Sequence, residues 1–334
     1  MKNEDASEHW SRQSEKAAGY WQLKFLLFLF RIFPVIILRI IAFPVGFFYF
    51  IFSKKARIES KRFMQKTAQF IDDPKLAKKC RSVFAPLRHI ISFSLTLIEK
   101  IQGWGGRFSF KNIHFQNDDI KDLINRLEEG KGAFLLFAHL GNCELLRGLL
   151  ISNKTGVSRT IPVTAIMDTK VTAHFNNMLK ELNPQSRMDI IGADEIGPET
   201  AVLLEDRLAG GGIVVIAGDR TSATGGKNLM IPFFGDEAPF PAGTFYLVSL
   251  MNYPVYFTFG LRGKCLSLIP EYNMHVHKSN ITFDCTRKER MQRSVVLAEN
   301  FVSLLESYCK KYPFQWYNFF NFWHKGEVNE QTAG

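Results

Sequence analysis

Two kinds of hydrophobic pattern divide the chain. From Phe25 to Phe52 the sequence reads FLLFLFRIFPVIILRIIAFPVGFFYFIF, an apolar stretch interrupted by Arg31, Pro34, Arg39 and Pro44. Lys24 precedes it, and its longest charge-free run is Ile40–Ser53. A single membrane-crossing helix needs about 18 or more apolar residues with few or no charges, and an internal proline breaks or kinks a helix. At about 100° per residue Lys24 and Arg31 align, and Arg39 sits about 80° away. One cationic side and a broad apolar side predict helices lying in a membrane interface. The alternative is a buried core helix followed by a solvated basic one. No A-x-A-like site follows the segment, so a cleaved signal peptide is not expected.

From Ala133 onward the periods shorten. Ala133–Ala138 (AFLLFA), Ile161–Met167, Met188–Ile191 and Gly212–Ala217 are short apolar runs bounded by glycine or polar residues. Helical spacing falls between them, near 142–152, 170–182 and 198–209. Strands alternating with helices predict an α/β fold, a mostly parallel sheet flanked by helices. Further strands are expected at 228–234, 253–260 and 265–270, with helices near 241–251 and 288–311. Residues 1–110 read as a mainly helical, membrane-associating region and residues 111–330 as the α/β region. The boundary near 110–130 is soft and does not mark two independent domains.

Charge sharpens the division. Of 42 Lys+Arg and 32 Asp+Glu, residues 1–100 hold 18 and 8, so the whole excess of +10 lies there and the remainder balances at 24 and 24. Lys54, Lys55, Arg57, Lys61, Arg62 and Lys66 follow the apolar stretch directly. Such a cluster is drawn to anionic lipid by about 1 kcal/mol per charge near the surface. It lacks a nucleic-acid-binding motif, so no nucleic-acid partner is expected. Five scattered cysteines without a C-x-x-C pair argue against a disulfide scaffold or zinc ribbon and favour a reducing compartment. The 31 phenylalanines point toward apolar ligands or lipid.

The chain contains no G-x-S-x-G elbow, phosphate loop, G-x-G-x-x-G fingerprint or H-E-x-x-H helix. What remains is His139–Leu–Gly–Asn–Cys–Glu144, at the end of an apolar strand and the start of a helical pattern. Ligands bind beyond the carboxyl ends of strands in α/β sheets. There a neutral His139 can take a proton from an attacking hydroxyl or amine. Glu144 can accept from the other ring nitrogen and steady the imidazolium, as the acid of a triad does. Asn142 is placed to cap the following helix, whose free N–H groups favour developing negative charge. Cys143 is read as a small packed residue. His114 and Asp119 have the same spacing but sit in polar sequence, FQNDD, and read as a coincidence. His275 and His277 could pair on a strand, but no third ligand is in view and no metal is expected.

FAHLGNCELLRG resembles the H-x4-D/E block of the lysophospholipid acyltransferase superfamily, closest to its lipid A biosynthesis branch, the late acyltransferases of Gram-negative bacteria. AGDRTSATGGKNLMIPFFGDEAPFPAGTF is similar to that branch's later block, with an acidic residue after a strand, then F-F-G and a Pro/Gly turn. PFQWYNFFNFW resembles its terminal P-x-Q-W segment, and HWSRQSEKAAGYWQ is similar to an offshoot of acyltransferases associated with aryl-polyene gene clusters. The resemblance implies acyl transfer from an acyl carrier protein or coenzyme A thioester to a hydroxyl or amine of a lipid or glycolipid, at the cytoplasmic face of an inner membrane and without a cofactor. By matching position His139 is the general base and Glu144 its orienting partner. Asp219 and Arg220 match the later block as substrate-binding positions; Arg220 suits a phosphate or an ordinary salt bridge. Arg147 and Arg187 are further phosphate candidates, and Gly235 and Gly243 are backbone-turn residues lining the cleft. The terminal aromatics from Trp316 to Trp323 read either as an acyl-chain wall or interfacial belt, or as core packing. A catalytically silent lipid-binding or assembly module of the same fold is the alternative function.

Overall fold

The computed structural model describes residues 32–104, 110–142, 156–167, 188–193, 196–221 and 226–323, with positions 25, 28–30, 108, 145 and 148 besides. Its centre is a seven-stranded sheet. In chain order the strands are β1 (Ile113–Phe115), β2 (Ala133–Gly141), β3 (Val163–Met167), β4 (Met188–Gly192), β5 (Ile213–Ala217), β8 (Val255–Arg262) and β9 (Tyr272–Lys278). A separate antiparallel hairpin pairs β6 (Asn228–Phe233) with β7 (Asp236–Pro241). The sheet order is β1-β9-β8-β2-β5-β3-β4, and β8, β2, β5, β3 and β4 run parallel. Only β9 reverses against β8, with β1 parallel to β9.

The near-continuous apolar runs expected of parallel strands are buried on both faces. Ala133 and Leu135 of β2 join Ile213, Val215 and Tyr256 in one cluster, closed by Ile120, Leu123 and Leu127 of helix α5 (Asp119–Glu128). Phe134, Leu136, Ala138 and Leu140 enter the larger cluster on the other face. There they meet α6 (Pro198–Ala209), α7 (Ala242–Ser249) and α8 (Arg287–Lys311). Gly132 is required at the entry to β2, because a Cβ there would lie 2.2 Å from the Leu208 carbonyl oxygen.

The N-terminal region is helical, as its pattern predicts: α1 (Val35–Phe52), α2 (Lys54–Thr67), α3 (Pro74–Arg81) and α4 (Ala85–Trp104). Pro34 stands before α1, but α1 continues through Pro44 as one 18-residue helix, contrary to the break expected there. Leu38, Ala42 and Gly46 form its buried stripe, and Pro44 lies on the exposed side. Most of its remaining side chains are exposed and apolar, Phe52 at 82%. By length and composition α1 could cross a membrane, with a mean hydropathy of 2.4. Arg39 does not mark a solvated side. Its guanidinium donates to Gln102 Oε1 at 2.6 Å and to the Leu268 carbonyl at 3.0 Å, inside the protein. Lys24 and Arg31 lie outside the described residues.

Two further elements differ from the sequence reading. The strand expected at 265–270 is a loop, and β9 begins only after Pro270. The β7 strand carries Pro239 and Pro241, which hid it from a pattern reading; prolines are tolerated in edge strands. His114 lies on the short β1, whose outer residues are exposed, just before α5 begins at Asp119. The helices expected at 142–152 and 170–182 fall largely or wholly outside the described residues.

Candidate active site

The parallel register of β2 and β5 pairs residue n with residue n + 80, from Ala133–Ile213 to Phe137–Ala217. Carried two residues further, it sets His139 beside Asp219. The Asp219 carboxylate meets the imidazole there: Nδ1 of His139 and Oδ1 of Asp219 are 2.8 Å apart. Oδ2 accepts the His139 backbone N–H at 2.9 Å and the Trp316 indole N–H at 3.1 Å. Three donors thus converge on one fully buried carboxylate. Gly218 permits the approach, since a Cβ would fall 2.7 Å from the Phe301 ring.

The next residues fix the far end of β2. Gly141 has φ +71°, and a Cβ on it would lie 2.1 Å from the Gly260 carbonyl oxygen. The Asn142 N–H donates to that same oxygen at 2.7 Å. After β2 the chain crosses toward β3, and after β8 it turns the other way into β9. The carboxyl ends of β2 and β8 therefore flank a topological switch point, where open α/β sheets form their ligand crevice.

The terminal segment closes the other side. Leu140 bridges to Trp316, and the Tyr317 N–H donates to the His139 carbonyl at 3.0 Å. Trp316 is fully buried among Phe63, Phe233 and Phe322, with ring centroids 4.9, 5.1 and 4.8 Å away. Its carbonyl is 2.9 Å from His89 Nε2, while His89 Nδ1 is 2.9 Å from Ser60 Oγ. Burial pushes His89 down to about 4, so it is neutral here. Of the two readings of the terminal aromatics, packing on the core holds for Trp316, Tyr317 and Phe322, all buried.

The electrostatics separate the pair. Burial opposes the charge on Asp219, but the facing imidazole, Arg220 and the His139 amide outweigh it and hold the carboxyl down at about 2. Burial lowers His139 below the ordinary imidazole range, and the Arg220 charge lowers it further; together they exceed the upward pull of Asp219. At neutral pH the pair is a carboxylate beside a neutral imidazole. Asp219 accepts from Nδ1–H, which leaves Nε2 as the basic nitrogen. The His139 side chain is 31% exposed, so the ring is reachable while its partner is not.

Arg220 donates to Asn318 Oδ1 and, at 3.2 Å, to the Tyr317 carbonyl, and it lies 5.1 Å over the Phe320 ring. It braces the terminal segment beside the imidazole. Asp219, expected to bind substrate, is instead sealed behind His139, bonded to its ring and to its backbone N–H. Glu144, expected to orient the imidazole, lies outside the described residues, as do Arg147, Arg187 and Cys143. Asn142 is fully buried, and among the described residues neither Oδ1 nor Nδ2 has a hydrogen-bond partner. Gly235, at φ +79°, closes the β6–β7 hairpin as a turn residue. Gly243 does not: it lies in the first turn of α7. His275 and His277 are neighbours on β9 facing Tyr308, whose hydroxyl is 2.7 Å from His277 Nε2.

Spacing along the chain could not have paired residues 80 apart. The signals were present separately, as an apolar strand ending in His139 and a second ending just before Asp219, but only the register joins them. Compared with known proteins, the chain matches no family model, and no curated protein matches it.

Proposed function

We propose that the protein is an acyltransferase of the lysophospholipid acyltransferase type, moving a fatty acyl group from an acyl carrier protein or coenzyme A thioester to a hydroxyl or amine of a lipid or glycolipid. The observation that carries the reading is the 2.8 Å contact between His139 Nδ1 and the buried Asp219, on a ring that is itself partly open. Nε2 takes the proton of the acceptor O–H or N–H as the heteroatom attacks the thioester carbonyl. Asp219 holds the tautomer and stabilises the imidazolium that forms. The tetrahedral intermediate collapses with loss of the thiolate, and His139 returns the proton to sulfur. No nucleophilic side chain is needed, because the acceptor itself attacks.

The membrane part of the proposal rests on α1 and α2. The exposed face of α1 includes Ile36, Ile37, Ile40, Ile41, Val45 and Phe48. Lys54, Lys55, Lys61 and Arg62 follow on the exposed side of α2. Apolar surface beside cations is the composition of a helix held at an anionic bilayer, here assigned to the cytoplasmic face of an inner membrane.

The test is transfer of labelled acyl chain from acyl carrier protein or coenzyme A to extracted lipid, together with lipid mass spectrometry of cells with and without the gene. His139→Ala is expected to lose transfer by about 10³-fold or more while staying in the membrane fraction. Wild-type turnover by that variant ends the proposal. A His139→Ala protein that still restores the cellular lipid profile would instead favour a silent lipid-binding module.

A further inference from the structure

A cavity of about 510 Å³ opens where the β8–β9 loop faces the end of α8, the start of α4 and α3. Its wall includes Lys79, Arg88, Lys264 and Lys311, and among the described residues no carboxylate lines it. Among the described residues none of the four cations forms an ion pair. Lys79, Lys264 and Lys311 are exposed, and Arg88 is half-buried with its guanidinium 5.4 Å over the Phe314 ring. Like charges gathered around one concavity repel one another, and low-dielectric walls focus their field. The rest of the lining is largely apolar or aromatic, with Leu76, Leu266, Tyr312 and Phe314.

The wall is held in place. Gln315 clamps the end of β8 through both its amide groups, accepting from the Arg262 N–H at 2.9 Å and donating to the Arg262 carbonyl at 2.7 Å. The Arg262 side chain, fully buried, donates to the Cys265 and Ser267 carbonyls and so fixes the loop that presents Lys264. The cavity therefore has a hydrogen-bonded floor and exposed lysines at its rim, and its volume lies within the range of small-molecule sites, about 300–1,000 Å³.

We propose that this cavity binds a phosphate ester whose body is apolar or aromatic. Arg88 supplies a planar donor fork, and the three lysines supply point charges that suit a phosphate. The aromatic floor takes the uncharged part. The site is distinct from His139 and Asp219 and does not depend on the acyl-transfer reading. Two sources carry this chemistry: the nucleotide end of a soluble compound, and the headgroup of an anionic phospholipid.

Both are tested on the full-length protein in detergent or nanodiscs. Calorimetry with adenosine 3′,5′-bisphosphate and inorganic pyrophosphate reads the soluble source. Binding to vesicles of phosphatidylglycerol against phosphatidylcholine reads the lipid source. One phosphate probe is expected to bind saturably, and Lys79→Gln/Lys264→Gln is expected to weaken it about tenfold or more. Lys131→Gln/Lys288→Gln, which removes two exposed charges outside both the cavity and α2, is expected to weaken it by less than about twofold. Equal thermal melting of the variants shows that both are folded. The proposal is overturned if no probe binds saturably up to about 5 mM, or if the two double variants weaken binding equally. His139→Ala should bind as the wild type does, so failure of catalysis and failure of this site are read separately.

Discussion

A buried carboxylate that accepts three hydrogen bonds is stable as an anion and poor as an acid. In the proposed mechanism that is the state in which Asp219 helps His139: it fixes the Nδ1–H tautomer and opposes the imidazolium charge without taking the proton. Asp219→Asn keeps the shape but removes the charge and permits the wrong tautomer. Acyl transfer is expected to fall by about 10³–10⁴-fold with little change in substrate affinity. A loss below about tenfold in a kcat measurement would remove Asp219 from the mechanism. The pH profile tests the second influence on the ring. His139 sits below its ordinary value, so its base form is present at neutral pH and is lost only as pH falls through that lowered value. Burial is the larger cause and Arg220 the next. Arg220→Gln takes away a charge that depresses the imidazole, so the acid limb of kcat/KM is expected to move to higher pH. Arg220→Lys keeps the charge and is expected to leave the limb in place, even if it loosens Asn318 and Tyr317. An unmoved limb in Arg220→Gln would show that burial alone sets the value. The place of His139 at the end of an apolar strand was legible in the sequence. Its partner was not, because strand register is a tertiary fact.

At the level of elements, the readable strands include β2, β3, β5 and β8, whose burial on both faces left an unbroken apolar run, and also β4 and β6, which are more exposed. Elements fixed by other forces were harder to read. The β9 strand alternates, with Tyr272, Met274 and Val276 buried and Asn273, His275 and His277 partly exposed, but the apolar CLSLIP before it drew the expectation upstream. That sequence is a loop because its carbonyls are occupied by Arg262 and Arg39. Pro44 predicted a break in α1 that packing overrides. Leu38, Ala42 and Gly46 lie four apart and seat the helix on α4, where Gly46 allows close approach. A Cβ at Gly46 would lie 3.0 Å from Ser94 Oγ and 3.1 Å from Ile91 Cγ1. Gly46→Val must therefore displace α1 or α4. It is expected to destabilise their contact by about 1–3 kcal/mol, read as faster proteolysis of α1 at unchanged secondary structure. Protection equal to the wild type would mean that α1 is held by the bilayer rather than by α4.

On the scale of the whole molecule, the helical region and the sheet share one interior. Phe63, Met64 and Ala68 of the N-terminal part lie in the same cluster as Phe134, Leu136 and Trp316. A buried polar junction strengthens the union: Arg262 Nη2 donates to Glu99 Oε1 at 3.0 Å, and the Tyr272 hydroxyl donates to Glu99 Oε2. Arg39 Nε stands 3.7 Å from the same carboxylate. Glu99, Arg262 and Tyr272 are fully buried, so one carboxylate on α4 anchors β8, β9 and, through Arg39, α1. Taking such charges from water is costly, and their attraction offsets this only while every partner is present. Burial accordingly raises the Glu99 carboxyl, against the pull of Arg262 and Tyr272. Glu99→Leu leaves a buried guanidinium uncompensated and is expected to destabilise the fold by about 3–5 kcal/mol. Replacing the set with apolar groups, Glu99→Leu/Arg262→Met/Tyr272→Phe, is expected to recover most of that loss in denaturant titrations. If the triple variant is no more stable than the single one, the junction contributes net energy and the desolvation argument is wrong. If it recovers stability but loses acyl transfer, the junction serves to place α4 and the terminal Gln315–Trp316 segment against the site rather than to hold the fold together.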